Sequence, residues 1–396
     1  MSLILLAALS LFCEVSKIKR TLLRLAADIE KNFDELAHEF RKRLNTDDPL
    51  QIITYRSYGT ADRLLVKGRV LKDKGIVKPT DKDTILRNLI SMYKRFTTDE
   101  VPNARLKINF ENRPHFALTD EEGYFALALN SKSGARQDDL WFDVDVDLVD
   151  APYSFTKNIT TTANILVPPD DAEYGIISDI DDTIVKTSAT DLFAMARITF
   201  LNNALSRLPF AGVAEFYKSL QLGRNGKRNN PFFYVSSSPW NLYDLLIDFL
   251  DLNNIPEGPL LLRDYGLDEK PEDDNHAGHK IREITQILNT YPDLKFVLIG
   301  DSGQEDPSIY SEIVGLFPNR ILAIYIRDVQ LPDRERVAIN VAKGLTKSKV
   351  EMVIVDNTLE AAEHAARIGL INSESIPDIE KEKNKDKGES PGKQKL

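Results

Sequence analysis

The sequence predicts an α/β protein: a parallel sheet covered by helices on both faces, preceded by an all-β, sandwich-like region and an amino-terminal helix. Three observations carry this. Near-continuous apolar runs of strand length recur between helical stretches from residue 174 to 355, as in strands buried on both faces. Residues 50–168 instead carry alternating, β-branched and aromatic segments, as in short strands separated by turns. A helical stripe occupies residues 15–45, with Ile18, Leu22, Leu25, Ile29, Leu36 and Phe40 spaced three, four or seven apart.

At 396 residues the chain is long enough for about two domains. Its composition, 42% hydrophobic and 28% charged, is that of a globular protein. A formal net charge of -10 argues against nucleic acid as a partner, which normally meets a basic field. An anionic substrate would then need local cations or a metal to hold it. Cys13 is the sole cysteine, so no intrachain disulfide can form and a reducing compartment is expected. The apolar start, residues 1–15, lacks a basic leader and a small-x-small cleavage site. It is also shorter than the roughly 20 apolar residues of a membrane helix. The expected location is cytoplasmic, with peripheral contact at a membrane left open.

Four segments follow in order: an amphipathic helix over 1–48, a sandwich-like β region over 49–168, an α/β region over 169–372 and a disordered charged tail over 373–396. In the first, Lys17, Lys19, Arg20 and Arg24 suit a membrane surface. The mixed charge further on suits a helix docked on its own domain or on another copy. The β region offers six strand-like segments, 51–58, 64–71, 104–110, 115–129, 140–149 and 164–167, and one helix-like insert at 83–96. Residues 119–125 read as a hairpin turn with Gly123 at the position of positive φ. No cluster of ligand spacing occurs there. Beyond the linker Val167-Pro168-Pro169-Asp170-Asp171, strands are expected at 174–178, 232–235, 260–262, 296–299, 321–326 and 352–355. After residue 373 large apolar side chains nearly vanish, which predicts disorder.

The chemistry gathers at strand ends. Ile176-Ile177-Ser178-Asp179-Ile180-Asp181-Asp182-Thr183 is a buried strand pattern ending in carboxylates two apart. Open α/β sheets place their ligands at that carboxyl edge. Asp179 and Asp181 repel each other in one tight loop unless a cation sits between them. Magnesium, which takes carboxylate, water and phosphate oxygens, suits the position. The pattern points to metal-assisted phosphoryl chemistry with a carboxylate nucleophile.

Three later features join it. Phe232-Phe233-Tyr234-Val235-Ser236-Ser237-Ser238-Pro239-Trp240 reads as a strand, a hydroxyl-rich turn and a helix start, with Ser238 as cap and Pro239 in the first turn. That leaves Ser236 as a phosphate ligand beside a helix amino terminus. Lys280 opens a helix with Ile281, Ile284, Ile287 and Leu288 on its apolar face. A cation there opposes the helix dipole, which makes it a candidate to neutralise phosphate oxygens. In Phe296-Val297-Leu298-Ile299-Gly300-Asp301-Ser302-Gly303-Gln304-Glu305-Asp306-Pro307 a buried strand again ends in a carboxylate. Asp301 is the expected further metal ligand; Asp306 is a helix cap, an outer support of the metal, or both. His276 and His279 read as loop residues rather than ligands.

This order of Asp-x-Asp-x-Thr, strand-Ser, Lys at a helix start and Gly-Asp-x-x-x-x-Asp resembles the four motifs of the haloacid dehalogenase (HAD) superfamily of phosphohydrolases. More narrowly, Ser178-Asp179-Ile180-Asp181-Asp182-Thr183, Tyr234-Val235-Ser236-Ser237-Ser238-Pro239-Trp240 and Gly300-Asp301-Ser302-Gly303-Gln304-Glu305-Asp306-Pro307 look like the actin-patch phosphatidate phosphatase family, most strongly over 174–330. Tyr58-Gly59-Thr60 and Lys67-Gly68-Arg69-Val70 are similar to that family's preceding domain. The resemblance implies a HAD-like Rossmannoid sheet with a small cap, and conversion of phosphatidate to diacylglycerol and phosphate. It implies Asp179 as nucleophile, forming an aspartyl-phosphate, and Asp181 as acid to the leaving alkoxide and then base to water. Thr183 and Ser236 would hold phosphate oxygens, with Lys280 supplying charge. Mg2+ would be held by Asp179, Asp301 and the backbone carbonyl of Asp181, with Asp306 behind.

The insertions bear on substrate. Residues 186–209 leave room only for a small helical flap, and 264–278 form a short polar loop. A lightly covered pocket favours a bulky or interfacial phosphomonoester, such as phosphatidate, a phosphoprotein or a nucleotide. A non-catalytic module that binds a membrane or a partner is the rival from another class. The set Asp179, Asp181, Lys280 and Asp301 speaks against it, since a scaffold has no need of clustered, repelling charges. Arg224-Asn225-Gly226-Lys227-Arg228 is basic, yet it precedes a strand and reads as a solvated turn at the opposite edge.

Overall fold

Eight strands stand between residues 50 and 166 where the sequence pattern suggests six. They are β1 (Leu50–Tyr55), β2 (Ser57–Thr60), β3 (Arg63–Lys72), β4 (Arg105–Phe110), β5 (Arg113–Leu118), β6 (Tyr124–Asn130), β7 (Trp141–Asp150) and β8 (Thr160–Leu166). The computed structural model describes residues 50–72, 100–132, 134, 140–155, 159–180, 211–227, 229–263, 276–329 and 331–386. The expected amino-terminal helix, the insert at 83–96 and the flap at 186–209 lie outside the described residues. The described residues of Leu50–Tyr153 and Lys157–Leu396 form one compact unit; the other, Met1–Pro49 with Ser154–Thr156, holds no described helix or strand.

The two additional strands come from interruptions, at Arg56 and at the turn after Leu118. Gly123 does take a positive φ, 79°, which glycine adopts without steric cost. The expected hairpin is nonetheless absent: β5 pairs with β4, whereas β6 pairs with β3. The turn therefore carries the chain across the sheet. β2 joins the two parts, antiparallel to β3 and parallel to β8.

Strands and helices then alternate: β9 (Gly175–Asp179), α1 (Val213–Leu222), β10 (Phe232–Pro239), α2 (Tyr243–Leu252), β11 (Leu260–Arg263), α3 (His276–Thr290), β12 (Phe296–Asp301), α4 (Asp306–Leu316), β13 (Ile321–Arg327), α5 (Pro332–Gly344), β14 (Glu351–Val355), α6 (Thr358–Arg367) and α7 (Ile376–Asp386). The six strands are all parallel, in the order β11-β10-β9-β12-β13-β14. The chain builds outward from β9 on one side, then returns to start the other side with β12. This reversal opens a crevice between the carboxyl ends of β9 and β12, where sheets of this kind bind ligands.

The period of two explains the layers. Ile176 enters one core with Val213, Phe216 and Ala362, while its neighbour Ile177 enters the other with Ile284, Ile287 and Ile313. Complete burial of such side chains contributes about 1.5–3 kcal/mol each. The β-rich region shares both cores, through Tyr55 in the first and Tyr58 and Leu166 in the second. The Tyr55 ring lies 4.5 Å from those of Trp240 and Tyr243, and the Arg56 N–H donates to the Tyr243 hydroxyl at 2.6 Å.

The carboxy-terminal segment departs from expectation. Disorder is predicted from residue 373, yet α7 runs to Asp386 with Ile379 fully buried. The Glu382 and Asp386 carboxylates accept the N–H groups of Glu215 and Gly212 at 2.8 Å, at the amino end of α1. Acidic groups are favoured there by the unpaired N–H donors and the helix dipole. No helix among the described residues is long and apolar enough to cross a membrane.

Candidate active site

Asp179 ends β9 and Asp301 ends β12, one on each side of the crevice, with Ile299 of β12 paired to Ser178 of β9. Lys280 lies in the second turn of α3 and Asp306 opens α4. The Lys280 Nζ stands 3.1 Å from Asp179 Oδ1 and 2.7 Å from Asp306 Oδ1, and its side chain is only 2% exposed. The second oxygen of Asp306 accepts the Asp301 N–H at 3.2 Å. Asp301 Oδ1 in turn accepts the N–H groups of Gly303 at 2.6 Å and Gln304 at 3.2 Å. Gly300 is needed for this closeness: a Cβ there would lie 2.4 Å from Asp306 Oδ2.

One oxygen from each of Asp179, Asp301 and Asp306 lies within 4.8 Å of the others. Two bare negative charges at that separation repel by about 3 kcal/mol at an effective dielectric of about 20. Three carboxylates here share one ammonium, so anionic surplus remains. Three hard oxygen donors suit a divalent cation of the magnesium class, which also accepts phosphate oxygens. The residues fit such an ion.

Nearby hydroxyls frame the carboxylates without adding charge. Burial, partly offset by a hydrogen bond with Ser178 and reinforced by the Asp179 charge, pushes the Tyr217 hydroxyl up to about 12. Burial, then the charges of Asp306, Asp179 and Asp301, hold Tyr310 well above its ordinary value. Tyr310 donates to the Ile299 carbonyl at 2.8 Å, anchoring α4 to β12. Ser178 donates to the Asp179 carbonyl at 2.8 Å and contacts the Tyr217 hydroxyl at 2.8 Å.

Of the residues singled out in the sequence, Asp179, Lys280, Asp301 and Asp306 come together. Asp181 and Thr183 lie outside the described residues. Ser236 follows Val235, which pairs with Asp179 across the ladder. Its side chain is fully buried, and its hydroxyl accepts the Ser238 N–H at 3.0 Å. The cap assigned to Ser238 is corrected: β10 continues through Pro239, which pairs with Arg263, and α2 begins only at Tyr243. Pairing with β11 overrides the local capping signal. Asp306 likewise makes no side-chain cap; Glu305 stands at that position. Lys280 is not the first residue of its helix, because α3 starts at His276. His279 is therefore helical rather than in a loop, and it is buried with Arg282 Nη2 3.2 Å from its Nδ1.

The basic turn lies at the amino edge, where Glu173 accepts the N–H groups of Arg224 and Asn225 and Lys227 pairs with Asp171. Sequence reasoning missed Tyr217, Tyr310 and Arg327. Arg327 ends β13 and pairs with Asp301 in the ladder, so the rule that located Asp301 could also have found it.

Residues 174–328 match the family model described as phosphatidate phosphatase APP1, catalytic domain. The chain is 33% identical over 242 residues to phosphatidate phosphatase APP1 of Saccharomyces cerevisiae, covering 59% of this chain and 39% of that protein. It is 33% identical over 155 residues to an uncharacterized protein of Schizosaccharomyces pombe, covering 39% of this chain and 25% of that protein. The matched region thus spans well under half of either relative. Among solved structures, a carbohydrate acetylesterase from Xanthomonas citri aligns at 12% identity over 76% of this chain and 75% of that one. Its TM-score of 0.26 is too low to carry an argument.

Proposed function

We propose, from the membership of residues 174–328 in the phosphatidate phosphatase APP1 catalytic-domain family, that this chain hydrolyses phosphatidate to diacylglycerol and phosphate. The observation that carries the proposal is the convergence of three carboxylates and one buried lysine at the switch point of the parallel sheet. Asp179 would attack phosphorus through a carboxylate oxygen, forming an aspartyl-phosphate as the bond to the diacylglycerol oxygen breaks. Asp181 would protonate that leaving oxygen and then take a proton from the water that releases phosphate and regenerates Asp179. Lys280, already within 3.1 Å of Asp179, would draw the anionic phosphoryl group toward the nucleophile. Thr183 and Ser236 would orient its oxygens.

A divalent cation, which we take to be Mg2+, would be held by Asp179, Asp301 and the Asp181 carbonyl, and would neutralise charge on the phosphoryl oxygens. Asp306 would sit behind, fixing Lys280 and the Asp301 backbone. The protein would work in the cytoplasm, touching membranes peripherally to reach its lipid.

Phosphate release from phosphatidate vesicles and from a soluble phosphoester, each with Mg2+ and with chelator, tests this reading. Release from vesicles that the chelator abolishes supports it. Release from the soluble ester alone would assign another phosphomonoesterase specificity, and release from neither would leave no hydrolase.

A further inference from the structure

We propose that the apolar cleft leading away from Asp179 and Asp301 between α1 and α2 binds the acyl part of the substrate, an inference that rests on the phosphomonoesterase reading above. The cleft occupies about 550 Å³, within the range of small-molecule sites. Asp179, Asp301 and Arg327 form its polar end, and Val213, Phe249, Leu250 and Ile255 are among the apolar side chains of its wall.

Two tyrosines also line it, but their hydroxyls are engaged elsewhere. Tyr217 meets Ser178 at 2.8 Å, and Tyr234 donates to the Pro256 carbonyl at 2.7 Å. Both therefore present ring carbon to the cavity. A sugar or nucleotide entering here would lose hydrogen bonds to water and find few replacements along this wall, which is costly. A hydrocarbon chain loses nothing and gains burial. The cleft is continuous with the catalytic carboxylates, so a phosphate held at Asp179 would direct the attached glycerol ester into it. Arg327 stands where the ester oxygens would pass.

The test uses the full chain and monomeric substrates. Rates are measured for glycerol 3-phosphate, dibutyryl, dihexanoyl and dioctanoyl phosphatidate, all below the concentration at which they aggregate. The expected result is a kcat/KM that climbs with acyl length, by up to about fourfold per methylene that becomes buried. Ile255→Trp, which fills the cleft from its rim, is expected to flatten that slope. A kcat/KM independent of acyl length in the unmodified protein overturns the inference, as does an undiminished slope in a folded Ile255→Trp. Should that variant fail to fold, the unmodified series alone decides. Release of phosphate from none of these esters would instead remove the phosphomonoesterase reading, and this inference with it.

Discussion

Two groups of polar side chains are built into the same parallel sheet, and only one of them is electrically out of balance. At the ends of β9 and β12, Asp179, Asp301 and Asp306 share a single ammonium, that of Lys280. Beside β13, the His364 ring joins the Tyr325 hydroxyl at 3.0 Å and the Glu351 carboxylate at 2.7 Å, with Arg367 3.9 Å from that carboxylate. The second group closes on itself, and its acid is 64% exposed to water. The first buries its charges almost completely and still carries an anionic surplus. Tight hydrogen bonding is common to both. Uncompensated charge is what separates a centre built for a ligand from one built for packing.

The comparison can be broken most decisively on the catalytic side. Asp179→Asn is expected to lower phosphate release by at least about a thousandfold, roughly 4 kcal/mol of transition-state stabilisation. Its melting temperature should stay level or rise, because one repelling charge is gone. Undiminished release would remove Asp179 as nucleophile. Lys280→Met tests the balance from the other side. Removing the one cation from a buried charged cluster should cost about 3–5 kcal/mol in urea unfolding. A cost below about 1 kcal/mol would mean that the carboxylates do not depend on it.

A neutral control comes next. Tyr55→Ala opens the aromatic contact with Trp240 and Tyr243 and should cost about 3 kcal/mol. An effect near zero would show that the β-rich region and the parallel sheet do not stabilise each other there. The smallest effect is expected in the balanced group. The hydrogen bond with His364, helped by Arg367, holds the Glu351 carboxyl below its ordinary value of 4.5. A depressed carboxyl contributes stability above its unfolded pKa and loses it as pH falls through the folded one. Stability should therefore decline below about pH 4.5 in part through Glu351, and Glu351→Gln should remove that part while costing less than about 1 kcal/mol at neutral pH, since the group is exposed. A large loss at neutral pH would put this group in the same class as the first.

The contrast also explains what could be read from residues alone. Runs such as 296–299 are apolar throughout, so their identity as buried strands does not depend on distant contacts. The carboxylate that follows such a run must emerge at the carboxyl edge, which is why Asp179 and Asp301 were recognisable. Arg327 obeys the same rule. Ser238 misled because Ser-Pro is capping chemistry locally, whereas pairing of β10 with β11 is a contact from farther along the chain. The charged carboxy-terminal segment misled for a similar reason. Glu382 and Asp386 look like solvated acids until they meet Glu215 and Gly212, 167 and 174 positions away. The stacking of Tyr55 on Trp240 joins two regions whose separate patterns hold no sign of each other.

The imbalance itself is tested most directly by melting the protein with and without Mg2+, in parallel with Asp301→Asn and Glu351→Gln. Binding to the folded state at a hundred times the dissociation constant adds about 2.7 kcal/mol. The account predicts a clear upward shift in the unmodified protein and in Glu351→Gln, and a shift largely lost in Asp301→Asn. An equal shift in all three, or none in any at saturating cation, would contradict it.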